Sequence, residues 1–141
     1  MARGYRFGGA DGGTPIAVNT PIGDLTGTYS CGSALNSTAT KTSAILVPRI
    51  VSGQKVRVNI SNTDYNANYK AGLYYSTDGN TWNLLSETGA NPVTKGNTGN
   101  VDFGLTDILG NRVYFRLVIT RISTGGNSKL VVNSVVCGTF T

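Results

Sequence analysis

Residues Tyr74–Leu85 read YYSTDGNTWNLL. Two apolar and aromatic runs flank Asp78-Gly79, a pair suited to the positive φ angles of a tight hairpin turn. The spacing predicts two antiparallel strands closed over Thr77–Asn80, with Tyr75 and Trp82 paired across them. The stretch fixes the local fold, so its neighbours decide whether it is also a ligand site.

Strand signals recur on both sides. QKVRVNIS (54–61) alternates, with Val56, Val58 and Ile60 on one face and Lys55, Arg57 and Asn59 on the other. GNRVYFRLVITRI (110–122) does the same: Val113, Phe115, Leu117 and Ile119 share a face opposite Tyr114, Arg116 and Thr120. GNVDFGL (99–105) and SKLVVNSVVCGTF (128–140) add further β-branched segments, and TGTYSCGSALN (26–36) and KTSAILVPRI (41–50) are the expected first strands. GLTDILG (104–110) leads into the strand at Arg112 or makes one turn of helix. Turn clusters separate these segments, and no window carries a long amphipathic helix. The expected fold is all-β: a two-sheet antiparallel β-sandwich, jelly-roll rather than meander because the partner strands lie far apart in sequence.

The chain has 141 residues, enough for one domain with a real core. Charged residues make up 13%, about half the usual share, and 19 glycines help fill the gap. The net charge is +5, from 12 Lys+Arg against 7 Asp+Glu. The basic residues are scattered, without the dense run that tracks a phosphate backbone, so sequence-specific nucleic-acid binding is not expected. No stretch has the length and apolarity of a membrane span. Met1–Gly13 lacks the apolar centre of a secretion signal.

Residues 1–25 have neither a strand nor a helix period and read as an extended N-terminal arm, followed by a sandwich domain over residues 26–141. Within the arm, Arg3, Tyr5, Arg6 and Phe7 are of the types that concentrate interface energy, which marks a partner-docking segment. Cys31 and Cys137 are either a disulfide closing a long loop, worth about 4–5 kcal/mol in the chain-entropy account, or two buried thiols.

Taken together, KVRVNIS (55–61), AGLYYSTDGNTWNLLSE (71–87), VDFGLTDILGNRVYFRLVITRIS (101–123) and GNSKLVVNSVV (126–136) resemble the jelly-roll modules of the carbohydrate-binding and MAM-like type. The resemblance covers somewhat over half the chain. It implies a two-sheet sandwich and transfers no ligand. STDGNTW also resembles the Asp-box of propeller proteins, but Asp78 and Gly79 are adjacent and the unit occurs once, so a propeller is excluded.

Catalysis is not expected. There is no histidine to serve a nucleophile, and Glu87 is the only glutamate among aspartates that sit mostly in turn-like contexts. No cofactor is expected. Modules of the type resembled often carry a structural calcium, for which Asn62, Asp64, Asn66 and Asn68 offer oxygens, but with a single carboxylate among them. Tyr65, Tyr69 and Trp82 are the candidate glycan contacts, because exposed aromatic rings stack on the C–H faces of sugars.

Two functions fit these features. One is a structural virion protein, a bacteriophage capsid decoration or head-fibre protein docked on other virion proteins through its arm, presenting its surface to a glycan or a host, and assembled as a trimer or another cyclic homo-oligomer. The other is a glycan-binding module of a secreted bacterial protein. An extracellular filament subunit is a third, weaker fit.

Overall fold

The computed structural model describes residues 19–62, 68–124 and 129–140. Among them are nine strands: β1 (Thr20–Pro21), β2 (Gly27–Ser30), β3 (Thr38–Thr42), β4 (Lys55–Asn62), β5 (Tyr69–Ser76), β6 (Asn83–Glu87), β7 (Asn97–Gly104), β8 (Tyr114–Arg121) and β9 (Lys129–Gly138). They form two antiparallel sheets. One runs β1-β9-β4-β7 with β2 also on β9, and the other runs β3-β8-β5-β6.

The pairing is nested. β5 pairs with β6, β4 with β7, β3 with β8, and β2 with β9. One long hairpin, its tip at Asp78-Gly79, has therefore been rolled so that β8 also meets β5 and β9 also meets β4. This is the expected jelly roll. Each strand turns its apolar row inward. Val56, Val58 and Ile60 of β4 face Phe115, Leu117 and Ile119 of β8 across a core in which all six are fully buried, each contributing roughly 1.5–3 kcal/mol of burial.

Two bulges adjust the alternation. In β9, Asn59 pairs with Ser134 but Ile60 pairs with Val132, leaving Asn133 as the extra residue. A strict period of two would put Val132 and Ser134 on one face. The bulge lets Val132 and Val135 both point inward, and the Asn133 amide donates instead to Asn59 Oδ1 (2.9 Å) and Ser61 Oγ (2.7 Å). In β6 the shift leaves Leu85 as the extra residue, packed against the core.

The structure revises two readings of the elements and decides a third. The sandwich does not begin at residue 26: β1 pairs with β9, and Ile22 and Leu25 are fully buried, the latter through a 3-10 turn at Gly23–Leu25. The N-terminal edge is thus one strand interrupted by an apolar plug. Asn19 lies so close to Gly138 that a Cβ there would collide with it, and the Asn19 amide oxygen accepts the Thr139 N–H at 3.2 Å. The second expected strand is also displaced. Ala44–Ile50 is not a strand; Val47 makes a single bridge to Val113, and Val47 and Ile50 close one end of the core. GLTDILG contains a short 3-10 turn at Thr106–Ile108 that seats Ile108 in the core.

The thiols of Cys31 and Cys137 are not joined. Cys31 follows Ser30, which pairs with Lys129, whereas Cys137 pairs with Thr20 at the other end of β9. Eight residues of extended strand separate those ends by roughly 26 Å, far beyond disulfide reach. Burial pushes the Cys137 thiol up to about 11, and the Cys31 thiol donates to the Ile119 carbonyl at 3.4 Å.

Candidate functional site

The rolled hairpin brings one end of β5, β6 and β8 together beside the Asp78 turn. Ser76 is fully buried there. Its hydroxyl donates to Asp78 Oδ1 at 2.9 Å and accepts the N–H groups of Asp78 (3.2 Å) and Gly79 (2.8 Å). Asp78 Oδ1 also accepts the Asn80 and Thr81 N–H groups, both at 2.8 Å. Gly79 adopts φ +82, the left-handed conformation the turn demands. The Thr81 and Asn80 amides, with the Ser76 hydroxyl, hold the Asp78 carboxyl down at about 2. Asp78 is thus a structural turn residue, as its sequence context implied.

A folded-state value below the ordinary 3.8 means that the ionised carboxylate stabilises the turn. That contribution is complete above the ordinary value and is lost as the pH falls from about 4 towards 2. Thermal melts at pH 7, 4 and 2 are expected to show this loss in the wild type. Asp78→Asn keeps an acceptor oxygen but cannot titrate, so its loss between pH 4 and 2 should be smaller. An equal loss in both proteins would deny Asp78 this role.

The hairpin register differs from the expected one. Asn83, not Trp82, lies opposite Tyr75, and Leu84 lies opposite Tyr74. Tyr75 packs against the core, while Tyr74 points outward opposite Arg116 of β8. Trp82 lies outside the core, and the Arg116 guanidinium sits over its ring, 4.2 Å from the centroid. Arg116 is itself fixed, because its Nε donates to Thr42 Oγ1 at 3.0 Å. Two residues back on the same row, the Tyr114 ring reaches the Gly79 turn, about 3.7 Å from where a Cβ would stand.

Tyr74, Trp82, Tyr114 and Arg116, all half-buried, therefore form one outward platform on the β3-β8-β5-β6 sheet, with Leu84 49% exposed at its side. Gly72 deepens it, since a side chain there would meet the Tyr74 ring at 3.5 Å and Leu84 at 3.6 Å. Farther along, Lys70 pairs with Glu87 at 3.1 Å.

The outer face of the other sheet is different in kind. Arg57 and Asp102 are joined by two bonds (2.8 and 2.9 Å), which lowers the Asp102 carboxyl below its ordinary value. Asn59 donates to Asn100, and Ser61 bonds Thr98. Its polar side chains satisfy one another, and Phe140 covers the Arg57 guanidinium at 4.2 Å.

The candidate residues scatter. Trp82 is at the platform. Tyr69 is not a surface contact: it is fully buried, its hydroxyl donating to the Val93 carbonyl (2.6 Å) and accepting the Val93 N–H (3.0 Å). At the first position of β5 its ring turns inward, so its place beside a polar loop misled. Asn62 is buried with its amide on the same carbonyl (2.9 Å), and Asn68 Oδ1 accepts from Asn91. Tyr65, Asp64, Asn66 and the arm residues Arg3, Tyr5, Arg6 and Phe7 lie outside the described residues. Among the described residues no three metal-ligating side chains cluster, and no helix is long and apolar enough to cross a membrane. Tyr74, Tyr114 and Arg116 were missed. The alternation of β8 does put Tyr114 and Arg116 outward, but only the β5–β8 register shows that they lie beside the hairpin.

No protein-family profile matches the sequence, and no curated protein matches it. Solved structures do. The glycoside hydrolase domain of Endo-D from Streptococcus pneumoniae R6 superposes with a TM-score of 0.55 at 12% identity, over 86% of this chain and 21% of that one. The chain thus spans about a fifth of that protein. The xylan-binding module CBM15 superposes with a TM-score of 0.52 at 9% identity, over 87% of this chain and 97% of that one. A structure of infectious bursal disease virus, Gt strain, gives 0.40 at 12% identity over 81% and 33%, too low to carry an argument. At these identities the likenesses concern the fold alone, a β-sandwich shared with carbohydrate-binding modules.

Proposed function

We propose that this protein is a non-catalytic glycan-binding β-sandwich whose binding face is the Tyr74–Trp82–Tyr114 platform. The observation that carries the reading is the outward, half-buried indole of Trp82, held on Arg116 beside two outward tyrosines. Rings fixed in this way present flat apolar surface to sugar C–H faces at little entropic cost. The carboxylates on this side already have structural work, Glu87 pairing with Lys70 and Asp78 closing its turn, while Asp102 pairs with Arg57 on the opposite face and Asp24 accepts the Ala44 N–H at 2.8 Å. Neither Glu87 nor Asp78 is left as one of the facing pair that glycoside hydrolysis requires. The likeness of fold to a xylan-binding module supports the same reading.

The virion reading depends on Arg3, Tyr5, Arg6 and Phe7, outside the described residues. It supplies a setting rather than a rival, because a glycan-binding sandwich serves on a particle as well as on a secreted protein.

Trp82→Ala is expected to weaken binding to whichever oligosaccharide scores on a glycan array by at least about tenfold, while the melting curve stays near wild type because the indole is outside the core. Isothermal titration with the scoring oligosaccharide reads the affinity. Unchanged affinity, or an array with no positives, would refute the platform.

A further inference from the structure

The platform contains a cation without an anion, and this points to the class of sugar it takes. Among the described residues Arg57 is matched by Asp102 and Lys70 by Glu87. Among the described residues no carboxylate lies within ion-pair distance of Arg116 or of Arg112. The two arginines flank Tyr114. Arg112 is exposed, and fully buried Val113 separates it from Tyr114. Arg116 is restrained in two ways, its Nε on Thr42 and its plane on the Trp82 ring. Among the described residues its terminal nitrogens find no acceptor, so a guanidinium already oriented and partly desolvated presents its terminal N–H groups to a planar carboxylate. The anions on this side are engaged elsewhere: Glu87 holds Lys70, and Asp78 Oδ1 is filled by its turn.

Resting on the glycan-binding reading, we infer that the platform selects acidic oligosaccharides. The ring of a uronic-acid residue lies on the aromatic surface, and its carboxylate takes the terminal edge of Arg116, with Arg112 as a second, more mobile cation. Two unmatched arginines are too few to track a phosphate backbone, which favours an acidic sugar over single-stranded nucleic acid.

The test is titration calorimetry at low and moderate salt with a neutral xylose hexasaccharide, its glucuronate-bearing counterpart, its sulfated counterpart and a thymidine oligonucleotide. The glucuronate-bearing sugar should bind about tenfold tighter than the neutral one, with an advantage that shrinks as salt rises. Arg116→Gln should abolish that advantage, and Arg116→Lys should restore part of it. Arg57→Gln, on the opposite face, should leave it intact. Equal binding of neutral and glucuronate-bearing sugars overturns the inference and leaves the glycan-binding function standing. A sulfated sugar that binds as well as the glucuronate overturns the carboxylate assignment. An oligonucleotide that binds as tightly overturns selection for sugars. Failure of all four probes on a folded protein overturns the inference and counts against the platform as well.

Discussion

Phe115→Ala is expected to cost about 3–5 kcal/mol of unfolding free energy, with a fall in melting temperature of about 10–15 °C. Phe115 is fully buried between the sheets. Around it the structure has little room to collapse. Its backbone is clamped by two bonds to one residue at the end of β3, its N–H donating to Ser43 Oγ at 3.0 Å and its carbonyl accepting the Ser43 N–H at 2.9 Å. Strand β8 therefore cannot shift into the cavity without breaking bonds to a buried serine. Urea unfolding of the variant should show a lower midpoint at unchanged slope. Leu109→Ala, at a position 44% exposed, is the matched control and should move stability by less than about 0.5 kcal/mol. A cost below about 1 kcal/mol for Phe115→Ala would mean that the two sheets are less tightly apposed than described.

Arg121→Met is expected to cost about 3 kcal/mol. Arg121 ends β8 and is only 1% exposed. Its Nε donates to the Ser123 carbonyl (2.8 Å) and its Nη1 to the Gly32 carbonyl (3.0 Å). Its own N–H and carbonyl bond Ser37 and Asn36. One residue thus ties the connection between β2 and β3 to the chain leaving β8. Methionine fills much of the volume but leaves the Ser123 and Gly32 carbonyls without these donors. Lysine should recover only part of the loss, since one ammonium cannot reproduce the geometry of a guanidinium fork. Denaturant melts of the three proteins measure this. Methionine within about 1 kcal/mol of wild type would show that the carbonyls find other donors.

What could be read from the sequence follows from how each element is stabilised. Strands β4, β5, β8 and β9 bury one face and leave the other wet or half-covered, so alternation marks them. β3 escaped because Thr38, Thr40 and Thr42 face out while only Ala39 and Lys41 are half-buried, a weak apolar signal. The apolar run after it looked like a strand, yet it serves as a stopper: Val47 and Ile50 close the end of the core from a loop. Ile22 and Leu25 were hidden by their Gly- and Pro-rich surroundings. The site was half legible. The hairpin and Trp82 were visible from Asp78-Gly79 alone, but the outward tyrosines join Trp82 only through pairing between β5 and β8, which are far apart in sequence. The bulge at Asn133 is invisible to a rule of strict alternation.

The nested pairing also sets an order of assembly. β5 and β6 close over a short turn that Ser76 and Asp78 hold with their own hydrogen bonds, at small entropic cost. Every outer pair spans a longer loop: Ser30 meets Lys129 only after almost the whole sandwich lies between them. Once an inner pair has formed, the next closes across short connections rather than across the open chain. Folding is therefore cheapest from the Asp78 tip outward, with the β1 and β2 edge docking on β9 last, and a topology so rich in non-local pairs belongs among the slower folders, on a scale of roughly milliseconds to seconds.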